Sequence, residues 1–154
     1  MVEITGGEPL LQKGVYPLMH QLLELGHTVL LETNGSLSIA EVPDEVVIIL
    51  DIKCPDSGME QHVYRQNLEI LRERRQRGCS DELKFVLNSE QDFSWSLRIV
   101  KEQKLEGLMP VLFSPVQDRL SAARLADLIL KNRINVRLQL QLHTILWPEQ
   151  DRGV

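Results

Sequence analysis

Thr5-Gly6-Gly7-Glu8-Pro9 is the segment whose residue types are best suited to chemistry. Two adjacent glycines let a backbone come close to a ligand with its N–H groups exposed. Glu8 adds a carboxylate acceptor at the same turn, matched to a ligand ammonium group. Pro9 lacks an N–H and stiffens the exit. Further polar sets follow at Glu32-Thr33-Asn34-Gly35, Asp51-Ile52-Lys53, Ser114-Pro115-Val116-Gln117 and His143. Cys54 and Cys79 are the only two cysteines. Two thiols alone make neither a disulfide framework, nor a structural zinc site, nor an iron–sulfur site, and both read as small packing residues.

The elements that position these sets alternate. Val2 to Thr5 reads as a strand entering the Gly-Gly turn. Val15, Leu18, Met19, Leu22 and Leu23 recur at helical spacing, with Gly26 as a stop. Thr28 to Leu31 is a short strand before the Glu32–Gly35 turn, and Val46 to Leu50 is a continuous apolar strand buried on both faces. A helix is expected from Glu60 to Arg77, closed by Gly78, with Arg72 to Arg77 forming a solvated helix end. Leu83 to Leu87 is the next strand. Ser89 and Asp92 have capping-box spacing and open a helix running to Lys104, with Trp95 on its packed face. Leu108 to Phe113 reads as a strand, and Pro110 inside it points to an edge or irregular position. Ser121 to Lys131 is a helix, Val136 to Leu142 a strand, and Trp147 to Val154 a polar tail.

Strand and helix alternating through short joins is the signature of a parallel α/β architecture. The polar sets fall at the C-terminal ends of the strands, where such sheets bind ligands. The chain of 154 residues carries a net charge of −5 and suits one domain, residues 1–154. An acidic balance argues against nucleic acid or an anionic membrane as the main partner. No apolar run is long enough to span a membrane, and the start lacks the basic and apolar regions of a signal peptide, so a cytoplasmic location is expected.

The Gly-Gly-Glu-Pro turn after a strand resembles that of the radical S-adenosylmethionine enzymes. Together with Glu32-Thr33-Asn34-Gly35, Asp51-Ile52-Lys53-Cys54-Pro55-Asp56-Ser57-Gly58, Lys84-Phe85-Val86, Ser114-Pro115-Val116-Gln117 and Leu140-Gln141-Leu142-His143 with Trp147-Pro148, it is similar to the 7-carboxy-7-deazaguanine synthase family. The resemblance runs from Val2 to Val154. It implies an incomplete (β/α) barrel, and a lyase of queuosine and 7-deazapurine biosynthesis. That enzyme contracts the ring of 6-carboxy-5,6,7,8-tetrahydropterin with loss of ammonia. It also implies S-adenosylmethionine, a 4Fe-4S cluster, Mg2+, an electron donor such as flavodoxin or ferredoxin, and a homodimer. The family's Cys-x3-Cys-x2-Cys loop lies ahead of the Gly-Gly turn and is absent from this chain. The expectation is therefore an N-terminally truncated form, inactive alone, lacking the first strand, the cluster ligands and the neighbouring magnesium ligand.

Residue by residue, the resemblance implies S-adenosylmethionine contacts from Gly6, Gly7, Glu8, Asn34, Asp51, Ile52, Lys53, Ser114, Pro115, Val116 and Gln117. It places Thr5 and His143 against the pterin, with Glu32 a lining residue. It implies no catalytic nucleophile and no metal ligand in this chain. Two other readings stay open: a non-catalytic remnant that binds a nucleotide-like ligand or a partner chain, and an activating enzyme that makes a glycyl radical on a protein.

Overall fold

The computed structural model describes residues 1–58, 66–142 and 146. Its elements run β1 (Val2–Ile4), α1 (Val15–Glu24), β2 (Val29–Thr33), β3 (Val47–Lys53), α2 (Asn67–Gln76), β4 (Glu82–Leu87), α3 (Glu90–Glu102), β5 (Val111–Pro115), α4 (Ala122–Asn132) and β6 (Arg137–Leu138). The strands form one six-stranded sheet in the order β1-β2-β3-β4-β5-β6, every neighbouring pair parallel. Sequential parallel strands with helical crossovers of one hand bring the helices to the same face. The expected incomplete (β/α) barrel is thus present as a continuous arc.

The register shows how the two faces divide. Leu31 pairs with Ile48, Leu50 with Leu83, Phe85 with Phe113 and Leu87 with Pro115. All of these but Pro115 share one core with Val15 and Met19 of α1, Leu71 of α2, Phe93 and Val100 of α3, and Leu125 and Leu128 of α4. Phe85, Phe93 and Phe113 meet edge to face, with centroids 5.5 and 5.8 Å apart around Phe113. Trp95 packs edge-on against Phe85, as expected. The alternate residues look the other way and form the inner face: Glu3, Glu32, Asp51, Lys53, Lys84 and Ser114 among them.

Several sequence expectations are corrected. β2 runs on through Glu32 and Thr33, and β3 through Asp51 and Lys53, so these polar residues are strand residues and not turn residues. Their side chains still alternate, which lets a polar residue occupy the inner face while its neighbour fills the core. Pro110 lies just outside β5, where its missing N–H harms no ladder, and its carbonyl accepts from the Leu83 N–H at 3.0 Å. β5 is consequently an interior strand, fully buried. The last strand shrinks to Arg137–Leu138, followed by one further bond from the Gln139 N–H to the Phe113 carbonyl. The helix expected from Glu60 is seen as α2, while residues 59–65 and His143 lie outside the described residues.

The arginine run is the largest correction. Arg74 is 1% exposed and forms a bidentate pair with buried Asp81 at 2.8 and 3.1 Å. Its guanidinium also donates to the carbonyls of Val42, Pro43 and Val46 at 3.0, 3.2 and 2.8 Å. Asp81 in turn accepts from the Ile48 N–H at 2.9 Å. The helix end bolts down the loop that enters β3. No described helix is long and apolar enough to cross a membrane.

Candidate functional site

The Gly-Gly turn leaves β1 with φ of +95° at Gly6 and +58° at Gly7. Successive left-handed residues are the reason glycine is needed there. A Cβ at either position would meet nothing within 4 Å, so the space in front of the turn is open. The turn borders a cleft of about 430 Å³ whose apolar wall includes Ile4, Leu11 and Leu18.

Glu8 turns inward and ties the loop to the end of β2. Its carboxylate accepts the Leu10 N–H at 3.1 Å and the Asn34 N–H at 2.9 Å. The Thr33 hydroxyl donates into it, 2.8 and 2.9 Å from its two oxygens. Asn34 is fixed further by its own Oδ1, which accepts from the Ser36 N–H at 2.9 Å. Behind it, a Cβ on Gly35 would sit 2.7 Å from Leu50 Cδ1. Fully buried Asn67, at the start of α2, donates to the carbonyls of Gly35 and Leu37 and accepts from the Ile39 N–H. The first two strand-end loops are therefore one hydrogen-bonded unit.

The inner face carries three more of the expected residues, Asp51, Lys53 and Ser114. Lys53 Nζ lies 2.6 Å from Asp51 Oδ2. Burial pushes the Asp51 carboxyl above its ordinary range, Lys53 and Lys84 pull it back, and Glu32 adds to the rise. Among the described residues, three buried side-chain atoms have no hydrogen-bond partner: Asp51 Oδ1, Ser114 Oγ and Gln139 Oε1. Asp51 pairs in register with Lys84 and Ser114 with Val86, so these two orphaned groups flank β4 from either side, two residues apart along it. Buried polar atoms without partners are uncommon in folded chains and mark places where another molecule can complete the bonding.

Of the expected residues, Thr5 to Glu8 and Asn34 are brought together through Glu8, and Asp51, Lys53 and Ser114 share the inner face. Ile52 and Pro115 point to the core side, and Val116 and Gln117 begin the loop after β5. Sequence reasoning assigned no role to Lys84 or Glu3. Their signal was a charged residue at alternate positions of otherwise apolar strands, Lys84 between Leu83 and Phe85 and Glu3 between Val2 and Ile4.

The two thiols do not fit an iron–sulfur cluster. Cys54 follows β3 at the C-terminal rim, whereas Cys79 precedes β4 at the opposite rim. Cys54 is buried against the Ser96 hydroxyl at 3.3 Å, and burial pushes its thiol up to about 12. Among the described residues no group of three His, Cys, Asp or Glu could hold a metal ion. Cubane clusters need converging thiolates. The 154-residue chain, reconstituted anaerobically with iron and sulfide, is expected to remain colourless and to release no 5′-deoxyadenosine from S-adenosylmethionine. A stoichiometric cluster signal by electron paramagnetic resonance would refute the placement of the thiols.

No protein-family model matches the chain. It is 39% identical over 153 residues to the 7-carboxy-7-deazaguanine synthase of Chlorobaculum tepidum, covering 99% of this chain and 68% of that protein. It is 35% identical to the protein of the same name from Koribacter versatilis, covering 100% of this chain and 72% of the relative. Among solved structures, QueE from Escherichia coli matches 90% of this chain with a TM-score of 0.66 at 22% identity, over 55% of its own length. Streptococcus suis SuiB bound to S-adenosylmethionine matches 96% of the chain with a TM-score of 0.61 at 16% identity, over 39% of its own length. The two structures share the fold of this chain, which spans little more than half of one and less than half of the other.

Proposed function

The chain belongs to the 7-carboxy-7-deazaguanine synthase family, and we propose that it forms the S-adenosylmethionine- and pterin-facing wall of a ring-contracting enzyme. The observation that carries this reading is that two buried polar atoms without a partner among the described residues, Asp51 Oδ1 and Ser114 Oγ, lie on the inner face of the sheet that also carries an open Gly-Gly turn. Asp51 as a carboxylate accepts only, so its free oxygen calls for a ligand donor. Ser114 can donate or accept.

In this reading the backbone at Gly6 and Gly7 lies against the methionine part of S-adenosylmethionine. Glu8 holds that backbone in place through Thr33 and Asn34, and its charge favours a nearby ammonium. Asp51 with Lys53, and Ser114 with the backbone through Gln117, line the adenosine. Thr5, at the open end of β1, faces the substrate. S-adenosylmethionine, when bound and reductively cleaved, supplies the hydrogen-abstracting radical. The substrate is 6-carboxy-5,6,7,8-tetrahydropterin, which loses one ring nitrogen as ammonia to give 7-carboxy-7-deazaguanine. The inner face orients the two molecules and excludes water. Since no described set of residues fits the cluster, its electron transfer is assigned to no group of this chain.

The test is Gly7→Val in a chain restored to full length with the family's three-cysteine segment, the cluster-loaded enzyme. The substituted side chain would enter the open space before the turn and would be strained at a positive φ. S-adenosylmethionine binding by calorimetry should be lost, and with it the formation of 7-carboxy-7-deazaguanine and ammonia in equal amounts. Unchanged affinity would remove the turn from the ligand site. Tight binding of S-adenosylmethionine by the unaltered enzyme without any turnover of the pterin would favour the binding remnant instead.

A further inference from the structure

Lys84 lies on β4 directly opposite Asp51 of β3, yet its ammonium is bonded to β2, with Nζ 2.7 Å from Glu32 Oε1. In a sheet ordered β2-β3-β4 the side chain must cross β3 to get there. It does so largely out of water, with 12% of the side chain exposed. Desolvating a lysine is expensive, and an apolar residue would pack there at lower cost unless the charge has a use.

Resting on the reading that this face receives the cofactor, we propose that Lys84 is a positioning residue. It clamps Glu32 and keeps Asp51 a carboxylate whose free Oδ1 accepts from the bound ligand. The charges around Asp51 come from three strands: Lys53 on its own β3, Lys84 from β4 and Glu32 from β2. Beyond Glu32, Glu3 of β1 adds a second carboxyl, pushed up by burial first and by Glu32 next. One end of this ladder is thus an acid pair and the other an acid with a free oxygen, and Lys84 is the cation between them. Without it, Asp51 would retain only Lys53 against burial and the Glu32 charge. A protonated Asp51 would present a hydroxyl or a weaker acceptor to the ligand.

The experiment is a carboxyl carbon NMR titration of Asp51 in the 154-residue chain and its variants. Lys84→Met should raise the Asp51 midpoint by about one pH unit or more, and Lys84→Arg should restore it. Glu32→Gln removes an acid instead and should lower the midpoint. Opposite signs are the signature of charge positioning, because mere loosening of the face would hydrate Asp51 and lower the midpoint in both variants. Movement in the same direction, or no movement, overturns the proposal. If Lys84→Met does not fold, Lys84→Gln decides: a raised midpoint supports the clamp, and an unchanged or lowered one refutes it. Failure of the cluster-loaded enzyme to bind S-adenosylmethionine at any pH would sink the functional reading separately, and the titration would still decide the role of Lys84.

Discussion

Arg74→Ala is expected to destabilise the chain by about 3–5 kcal/mol, the scale for breaking a buried ion pair by removing one partner. The substitution leaves the Asp81 carboxylate buried, still accepting from Ile48 but stripped of its counter-charge. It also removes the donor from three backbone carbonyls, those of Val42, Pro43 and Val46. Native stabilities of single domains are only about 5–15 kcal/mol, so the variant should sit near its unfolding threshold. Urea denaturation monitored by circular dichroism measures it. Asp44 makes the exposed arm of the same cluster, with its carboxyl held below the usual range by the Arg77 guanidinium. Asp44→Ala should cost far less, because exposed pairs contribute little. Equal losses in the two variants would show that burial is not what makes Arg74 important.

The second large effect is expected at Glu8, and its surprise is that the near-isosteric substitution should be nearly as harmful as truncation. Both carboxylate oxygens of Glu8 accept N–H groups, from Leu10 on one side and Asn34 on the other. Glutamine offers one oxygen and one NH₂, so in either orientation a donor faces a backbone donor. Hydrogen bonds to a charged group contribute about 1.5–3 kcal/mol each, and leaving their partners unpaired costs a similar amount. Glu8→Gln and Glu8→Ala should therefore both lower the melting temperature and untie the Gly-Gly turn from β2. In the cluster-loaded enzyme each should weaken S-adenosylmethionine at least about tenfold, the equivalent of about 1.4 kcal/mol. Full affinity in Glu8→Gln would mean that the turn holds its shape without the carboxylate.

Much was legible because it depends on neighbours in the chain. The Gly6-Gly7 pair announces a left-handed turn by composition alone. Ser89 and Ser121 cap α3 and α4 by bonding the N–H three residues on, a relation contained in a tetrapeptide. Alternation of apolar strands with helical periods decided the parallel arc, since only one hand of crossover packs such units back on their sheet. The family itself could be read from the ordered strand-end segments.

Tertiary structure decided what the charged residues do. Arg74 and Arg77 stand three apart on one helix end and look equivalent in sequence, yet one is sealed by the loop before β3 and the other is half exposed. Nothing local distinguishes them, because the carbonyls and the carboxylate that receive Arg74 arrive from other segments. Glu8 could be seen as a carboxylate at the turn, but its bonds to Thr33 and Asn34, some 25 residues away, exist only in the fold. Asp51 and Ser114 could each be seen as polar, but that both would be buried without partners on one face depends on register across β3, β4 and β5. Periodicity determines which side of a strand a residue takes. What it finds there is determined by chain segments that only folding brings within hydrogen-bond distance.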